Sequence, residues 1–299
     1  MTDVVAGRAP SPFDRLRARG LLGWFLLSAI GTATAAVVAG RLGNRHPDQR
    51  VIALLVMLAV LVTLVVRTRW VGLDWRRLFG PLPDRGMLPL VLVVAPVGMI
   101  TFGTALLVFV PLSYVFPRFV ARQFLSISFF EVTTVSQWLL LTAGAVVAAP
   151  LVEEMFFRGI LLHRWARRWG TLTGVLTSSA LFAVGHSEIF GHFLFGVAMA
   201  ALYLHTRRLW VPIAAHALNN FVLVLPILAG ILTHRQPEKE TLASFRKEIW
   251  LAPPFLLVGA ILLLLYLRRF WPGDLVRTTL RGPVPYDVAE GAHPVSARE

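Results

Sequence analysis

Eight stretches of this chain are apolar and long enough, or nearly so, to cross a bilayer: about 21–40, 51–66, 87–116, 137–163, 171–187, 189–205, 210–232 and 249–267. Inside hydrocarbon every backbone amide must find its partner within the chain, so runs of this length can only be helices. The expected fold class is therefore all-α, a polytopic integral membrane protein with about eight transmembrane helices. Eight spans of about 20 residues use roughly 160 positions, and what remains of the 299 residues makes short loops and tails rather than a soluble domain. The first run, following Arg15, Arg17 and Arg19, has small residues near Thr32 to Ala36 that a signal peptidase could accept. Its apolar character continues to Val38, which favours an uncleaved span.

The chain carries 29 Lys and Arg against 16 Asp and Glu. In a soluble protein a net charge of +13 would suggest nucleic acid as a partner. Here the basic residues sit in short segments between apolar runs, and they concentrate in alternate segments, so membrane topology accounts for them and no nucleic-acid partner is expected. The positive-inside rule then puts both termini in the cytoplasm, most simply at the plasma (inner) membrane. The loop with Arg235, Lys239, Arg246 and Lys247 is more basic than its outside placement prefers. Three regions follow: an N-terminal tail, 1–20; a membrane domain, 21–270; and a C-terminal tail, 271–299, whose Pro and Gly content predicts flexibility. The segment 117–137 mixes Phe119, Phe124, Phe129 and Phe130 with polar residues and is read as interfacial, without an assigned function. Absence of cysteine excludes disulfides, thiolate metal sites and a cysteine nucleophile.

A carboxylate within hydrocarbon is expensive, so an intramembrane acid is a functional hypothesis by default. Two lie side by side in the fourth run, Pro150-Leu151-Val152-Glu153-Glu154-Met155-Phe156-Phe157-Arg158. Helical geometry separates them by about 100°. Glu154 and Arg158, four apart with the acid first, can neutralise one another. Glu153 has Ala149, Pro150, Phe156 and Phe157 as its helical neighbours, none offering a charge or a polar side chain. That leaves it either as a general base or as the third member of a structural network. Further along, Phe182 and His186 share a helical face, as do His216 and Asn220, with Asn219 an adjacent alternative.

If the fourth and fifth runs form a hairpin turning near Trp169 and Gly170, Glu153 and His186 lie equidistant from the turn and at one depth. Bringing His216 to that depth requires the hairpin to project about 10 Å into the cytosol, which Arg164, Arg167 and Arg168 would suit.

Glu153-Glu154-x-x-x-Arg158, then Phe182-x-x-x-His186, then His216-x-x-x-Asn220, on successive spans, resemble the CPBP family of intramembrane endopeptidases. That family includes the CAAX prenyl endopeptidases of the Rce1 type and many bacterial proteins formerly called Abi. Phe195, Gly196, Tyr203, Leu209 and Trp210 fit its spacing, and the resemblance covers the motif core, about 137–225. It implies hydrolysis by an attacking water, with Glu153 as general base assisted by His186. His216 and Asn220 would stabilise the oxyanion, and Glu154, Arg158 and Phe182 would brace them. Glu153, His186 and His216 are the set that would bind zinc in a metal-dependent version. No HExxH or similarly tight spacing is present, so no cofactor is the favoured reading. The implied partner is a membrane-anchored or lipidated peptide. The competing readings are a non-catalytic scaffold or bacteriocin self-immunity protein, and, less favoured for want of an internal repeat, a transporter. Serine and paired-aspartate intramembrane designs fit worse, since there is no GxSxG motif and every aspartate falls outside the spans.

Overall fold

The computed structural model of the chain describes residues 11–43, 48–82, 91–122, 132–234, 241–270 and 284–287. Every regular element among them is helical. Seven helices are long and apolar enough to cross a membrane: Arg19–Leu42 (span 1), Gln49–Trp70 (span 2), Val94–Val115 (span 3), Val135–Trp169 (span 4), Ile189–Thr206 (span 6), Trp210–Leu232 (span 7) and Leu242–Phe270 (span 8). The protein is thus an all-α, multi-pass integral membrane protein.

The expected fifth run forms a shorter apolar helix, Thr171–Val184 (span 5). Its 14 residues rise about 21 Å, less than the hydrocarbon thickness of about 30 Å. Parity decides whether it counts as a pass. Phe13, ahead of span 1, stacks on His163 near the end of span 4 with ring centroids 4.8 Å apart, and Tyr286, beyond span 8, meets Phe13 edge-on at 5.1 Å. Chain ends on one side fit an even number of crossings, which span 5 would complete beside the seven longer helices among the described residues. It is short because Gly170, at φ 90°, turns the chain sharply and the helix gives way at Gly185.

Spans 1 and 2 pair with one another, and span 2 also lies against span 4. Span 3 packs between spans 6 and 8, while span 5 lies along span 6. Leu26, Leu27 and Ile30 of span 1 and Leu257, Leu264 and Leu265 of span 8 stay exposed, as lipid-facing positions should. The largest apolar cluster lies where Met155, Phe156 and Ile160 of span 4 meet Leu64, Leu78, Tyr203 and Leu209.

The C-terminal tail was expected to be flexible, yet the residues described within it are docked. Val284 and Tyr286 are buried, Val284 among Leu162, Ala166 and Val175, and Tyr286 beside Phe13 and His163. Two apolar side chains suffice where neighbouring helices already form the recess they enter. Of the segment 117–137, Pro117–Val120 makes one helical turn, while Phe124, Phe129 and Phe130 lie outside the described residues. The basic end of the span 4–5 hairpin meets the N-terminal tail: Arg164 donates to the Phe13 carbonyl at 2.8 Å, and Arg167 pairs with Asp14 at 3.1 Å. Asp14 is outside the membrane; its partial burial raises its pKa, but the hydrogen bond and charge of Arg167 outweigh that and hold it below the ordinary value.

Candidate active site

Span 4 is not one continuous α-helix. Ala143–Ala148 and Phe157–Leu162 are π turns on either side of the α-helical Ala149–Phe156 that carries both glutamates. The first π turn has a cause in the sequence. Ala149 N–H bonds the Gly144 carbonyl in the i→i−5 register, so the next bond would run from residue 150 to the Ala145 carbonyl. Residue 150 is proline and has no N–H to give. The carbonyl left over accepts instead from Asn220 Nδ2 of span 7, at 2.8 Å. Asn220 therefore ties span 7 to span 4 at Ala145, eight residues before Glu153, and its Oδ1 accepts from Asn219 Nδ2 at 3.2 Å.

Glu154 is fully buried. Its Oε1 accepts from Arg158 Nη1 at 2.9 Å, the anticipated pair four residues apart, and also lies 2.8 Å from His216 Nδ1. A carboxylate held ionised by Arg158 can only accept, so His216 carries its proton on Nδ1 toward Glu154. Arg158 spends a second bond on the Gly196 carbonyl of span 6, at 3.0 Å, and lies 4.8 Å from the centre of the Phe182 ring. Gly196 also lets span 6 lie close to span 5, because a Cβ there would lie 2.9 Å from Ser179 Cβ. Spans 4, 5, 6 and 7 are thus fastened around one buried ion pair.

Glu153 points the other way, as the 100° separation requires. Its Oε2 is buried without a hydrogen-bond partner among the described residues, and His216 Nε2 faces it at 3.8 Å. The same imidazole so joins both glutamates, bonded to one and facing the other. Glu153, His186, His216, Asn219 and Asn220 all line one cavity of about 430 Å³. Gly98, Thr101, Phe102 and Ala105 of span 3, with Leu141, Phe195, Leu223 and Val224, complete its wall, mostly apolar around a polar floor. The size and lining suit a small ligand or a few side chains of a peptide.

His186 sits just beyond span 5. Its Nδ1 is 2.8 Å from the Phe182 carbonyl, which can only accept, so Nδ1 bears the proton and Nε2 the lone pair. Phe182 is fully buried against His186, Phe157 and Phe195. The structure also brings in two residues that the sequence reading passed over. His192 stacks on His186 with centroids 4.2 Å apart and planes 18° from parallel. Glu188 caps span 6 by accepting from Phe190 N and Gly191 N, at 3.0 and 2.6 Å. The signal available was an acid at a helix start with a histidine four residues on, a pattern easily taken for an ordinary cap.

Every residue anticipated for the site is therefore in one place, but two of the anticipated donors are partly committed: His216 by its Nδ1 to Glu154, and Asn220 by one N–H to Ala145. Among the described residues, no three His, Cys, Asp or Glu side chains gather closely enough to hold a metal ion. Glu153, His186 and His216 line the same cavity without converging on a common point as zinc ligands do.

Residues 135–222 match the family model of the type II CAAX prenyl endopeptidases, Rce1-like. The chain is also 34% identical over 86 residues to a protein of Bacillus subtilis (strain 168) named "Putative membrane peptidase YdiL". That match covers 27% of this chain and 35% of the relative, so the chain spans about a third of its length. No solved structure matches.

Proposed function

Because residues 135–222 match the Rce1-like family model, we propose that this chain is an intramembrane endopeptidase working by glutamate-activated water, without a metal. The observation that carries the reading is the buried, unpartnered Oε2 of Glu153 at the floor of a cavity it shares with three imidazoles. Glu154 Oε2 is likewise buried without a hydrogen-bond partner among the described residues, but of the two glutamates Glu153 lines the cavity, where a water can reach its oxygen, and that is the position a general base needs.

In this mechanism a water sits between Glu153 Oε2 and the Nε2 lone pair of His186. Glu153 takes one proton from it as the oxygen attacks the scissile carbonyl carbon. The resulting oxyanion is stabilised by an N–H donated from His216 Nε2, the ring being oriented by the bond of its Nδ1 to Glu154, and by the second N–H of Asn220. As the C–N bond breaks, the protonated Glu153 returns its proton to the leaving amine nitrogen, so that acid and amine products balance the water consumed. Phe102, Ala105, Leu141 and Leu223 would receive apolar side chains or the lipid group of a membrane-anchored peptide arriving from the bilayer. The positive-inside distribution favours an inner (plasma) membrane placement with both termini cytoplasmic.

The test is cleavage of membrane-anchored peptide libraries by the purified protein in liposomes, beside the variants Glu153→Gln, His186→Ala and His216→Ala. The expected result is loss of cleavage in each variant, with unchanged melting in Glu153→Gln and a folded protein in the two histidine variants, His216→Ala melting lower for loss of its bond to Glu154. Biological activity that survives all three substitutions overturns the protease and points to a scaffold or self-immunity protein.

A further inference from the structure

We propose that His192 is a positioning residue for this cleavage, acting through the imidazole of His186; the inference rests on the protease reading above. His186 lies beyond the last helical turn of span 5, past Gly185, where no residue of a continuing helix lies beside it. One face of its ring meets Phe182 at 4.4 Å, tilted by 37°. His192 stacks at 4.2 Å, nearly parallel. The ring is thus held by one residue of its own helix and one of span 6.

His192 is itself well anchored. Its Nδ1 donates to the Glu188 carbonyl at 2.6 Å, and the Glu188 carboxylate closes the first turn of the helix that carries it. Both imidazoles therefore bear their proton on Nδ1, bound to a carbonyl, and both leave Nε2 as a lone pair. Both line the cavity with Glu153. For a water to be held between Glu153 and His186, the His186 ring must keep its angle about Cβ–Cγ, and a parallel neighbour on a capped helix fixes that angle as the single backbone bond at Nδ1 does not. The ring of His192, rather than its nitrogen, carries this role.

The discriminating pair is His192→Ala and His192→Phe, assayed in liposomes on a cleaved membrane-anchored peptide beside the wild type and Glu153→Gln. His192→Ala is expected to lower kcat about 10–100-fold with KM within about twofold, as misplacing a reacting group does without weakening substrate binding. His192→Phe, which restores a stacked ring, is expected to return kcat to within about threefold of the wild type. Thermal melting in detergent verifies that both variants fold. If His192→Ala falls short of folding, His192→Phe alone decides, and a kcat as low as that of Glu153→Gln overturns the proposal. Wild-type kcat in folded His192→Ala also overturns it. Cleavage retained by Glu153→Gln is a different failure, that of the protease reading itself.

Discussion

His216 Nδ1 lies 2.8 Å from Glu154 Oε1, joining spans 7 and 4 across 62 residues of sequence at the oxygen that also accepts from Arg158. Glu154 is consequently the electrostatic hub of the site, and Glu153, its neighbour in sequence, is the group left open to the cavity. The two glutamates should respond to substitution in opposite ways.

Arg158→Met removes the countercharge of a fully buried carboxylate and also the bond to Gly196. It should destabilise the protein by about 3–5 kcal/mol. Asp14→Asn, at the half-exposed pair with Arg167, should cost less than about 1 kcal/mol. Unfolding midpoints in detergent, compared for the two variants, measure the contrast, and equal losses would contradict it.

Glu153→Gln alters an oxygen that has no partner, so melting should hardly move. Cleavage should fall about 10²–10⁴-fold, the usual range for loss of a general base. A variant that melts far below the wild type would mean that Glu153 is a structural member of the charge network.

The bond from Asn220 to the Ala145 carbonyl exists because residue 150 is proline. Asn220→Ala should cost about 1–3 kcal/mol in the natural background, where that carbonyl is left bare. In a Pro150→Ala background residue 150 regains an N–H that can serve the same carbonyl, and the cost should shrink by about 1 kcal/mol. A double-mutant cycle on unfolding free energy reads this coupling; strict additivity would refute the explanation given for the π turn.

Cleavage should persist after dialysis against a strong chelator, at the rate of the untreated enzyme. Restoration of a chelator-sensitive rate by added zinc, with zinc found in the protein by elemental analysis, would instead require Glu153, His186 and His216 to move together around a metal ion.

Contact between Phe13 and Tyr286 predicts that both chain ends react from one side of the membrane. The natural chain has no cysteine, so Arg15→Cys and Ser296→Cys each introduce a single label site. An impermeant maleimide applied to sealed vesicles of one orientation should modify both or neither. Tyr286→Ala should lower stability by up to about 3 kcal/mol through loss of the ring from its recess.

That Glu153 and His186 come together across a turn at Gly170 was legible from residue counting, because helical rise is constant. The pair of Glu154 with Arg158 was legible for the same reason, since i and i+4 always meet on one helix. His192 was not legible: it lies outside the spacing pattern, and only the angle at which span 6 leaves its Glu188 cap lays its ring on His186. Nor was the docking of Tyr286, since a proline-rich tail carries no sign of a recess formed by other helices.

The sequence by itself determined that this chain spans a membrane in helices and which few polar side chains it places within them, because hydrocarbon penalises every unpaired backbone and charged group individually, wherever it sits. Which nitrogen of His216 faces the cavity, where His192 lays its ring, and what Asn220 does were decided only by the tertiary structure. Each depends on directions and distances between helices, down to the 3.8 Å from His216 Nε2 to Glu153. Those are fixed by the close packing at Gly196 and by the bonds from Arg158 to the Gly196 carbonyl and from Asn220 to the Ala145 carbonyl, whose partners lie on other helices at no fixed spacing along the chain.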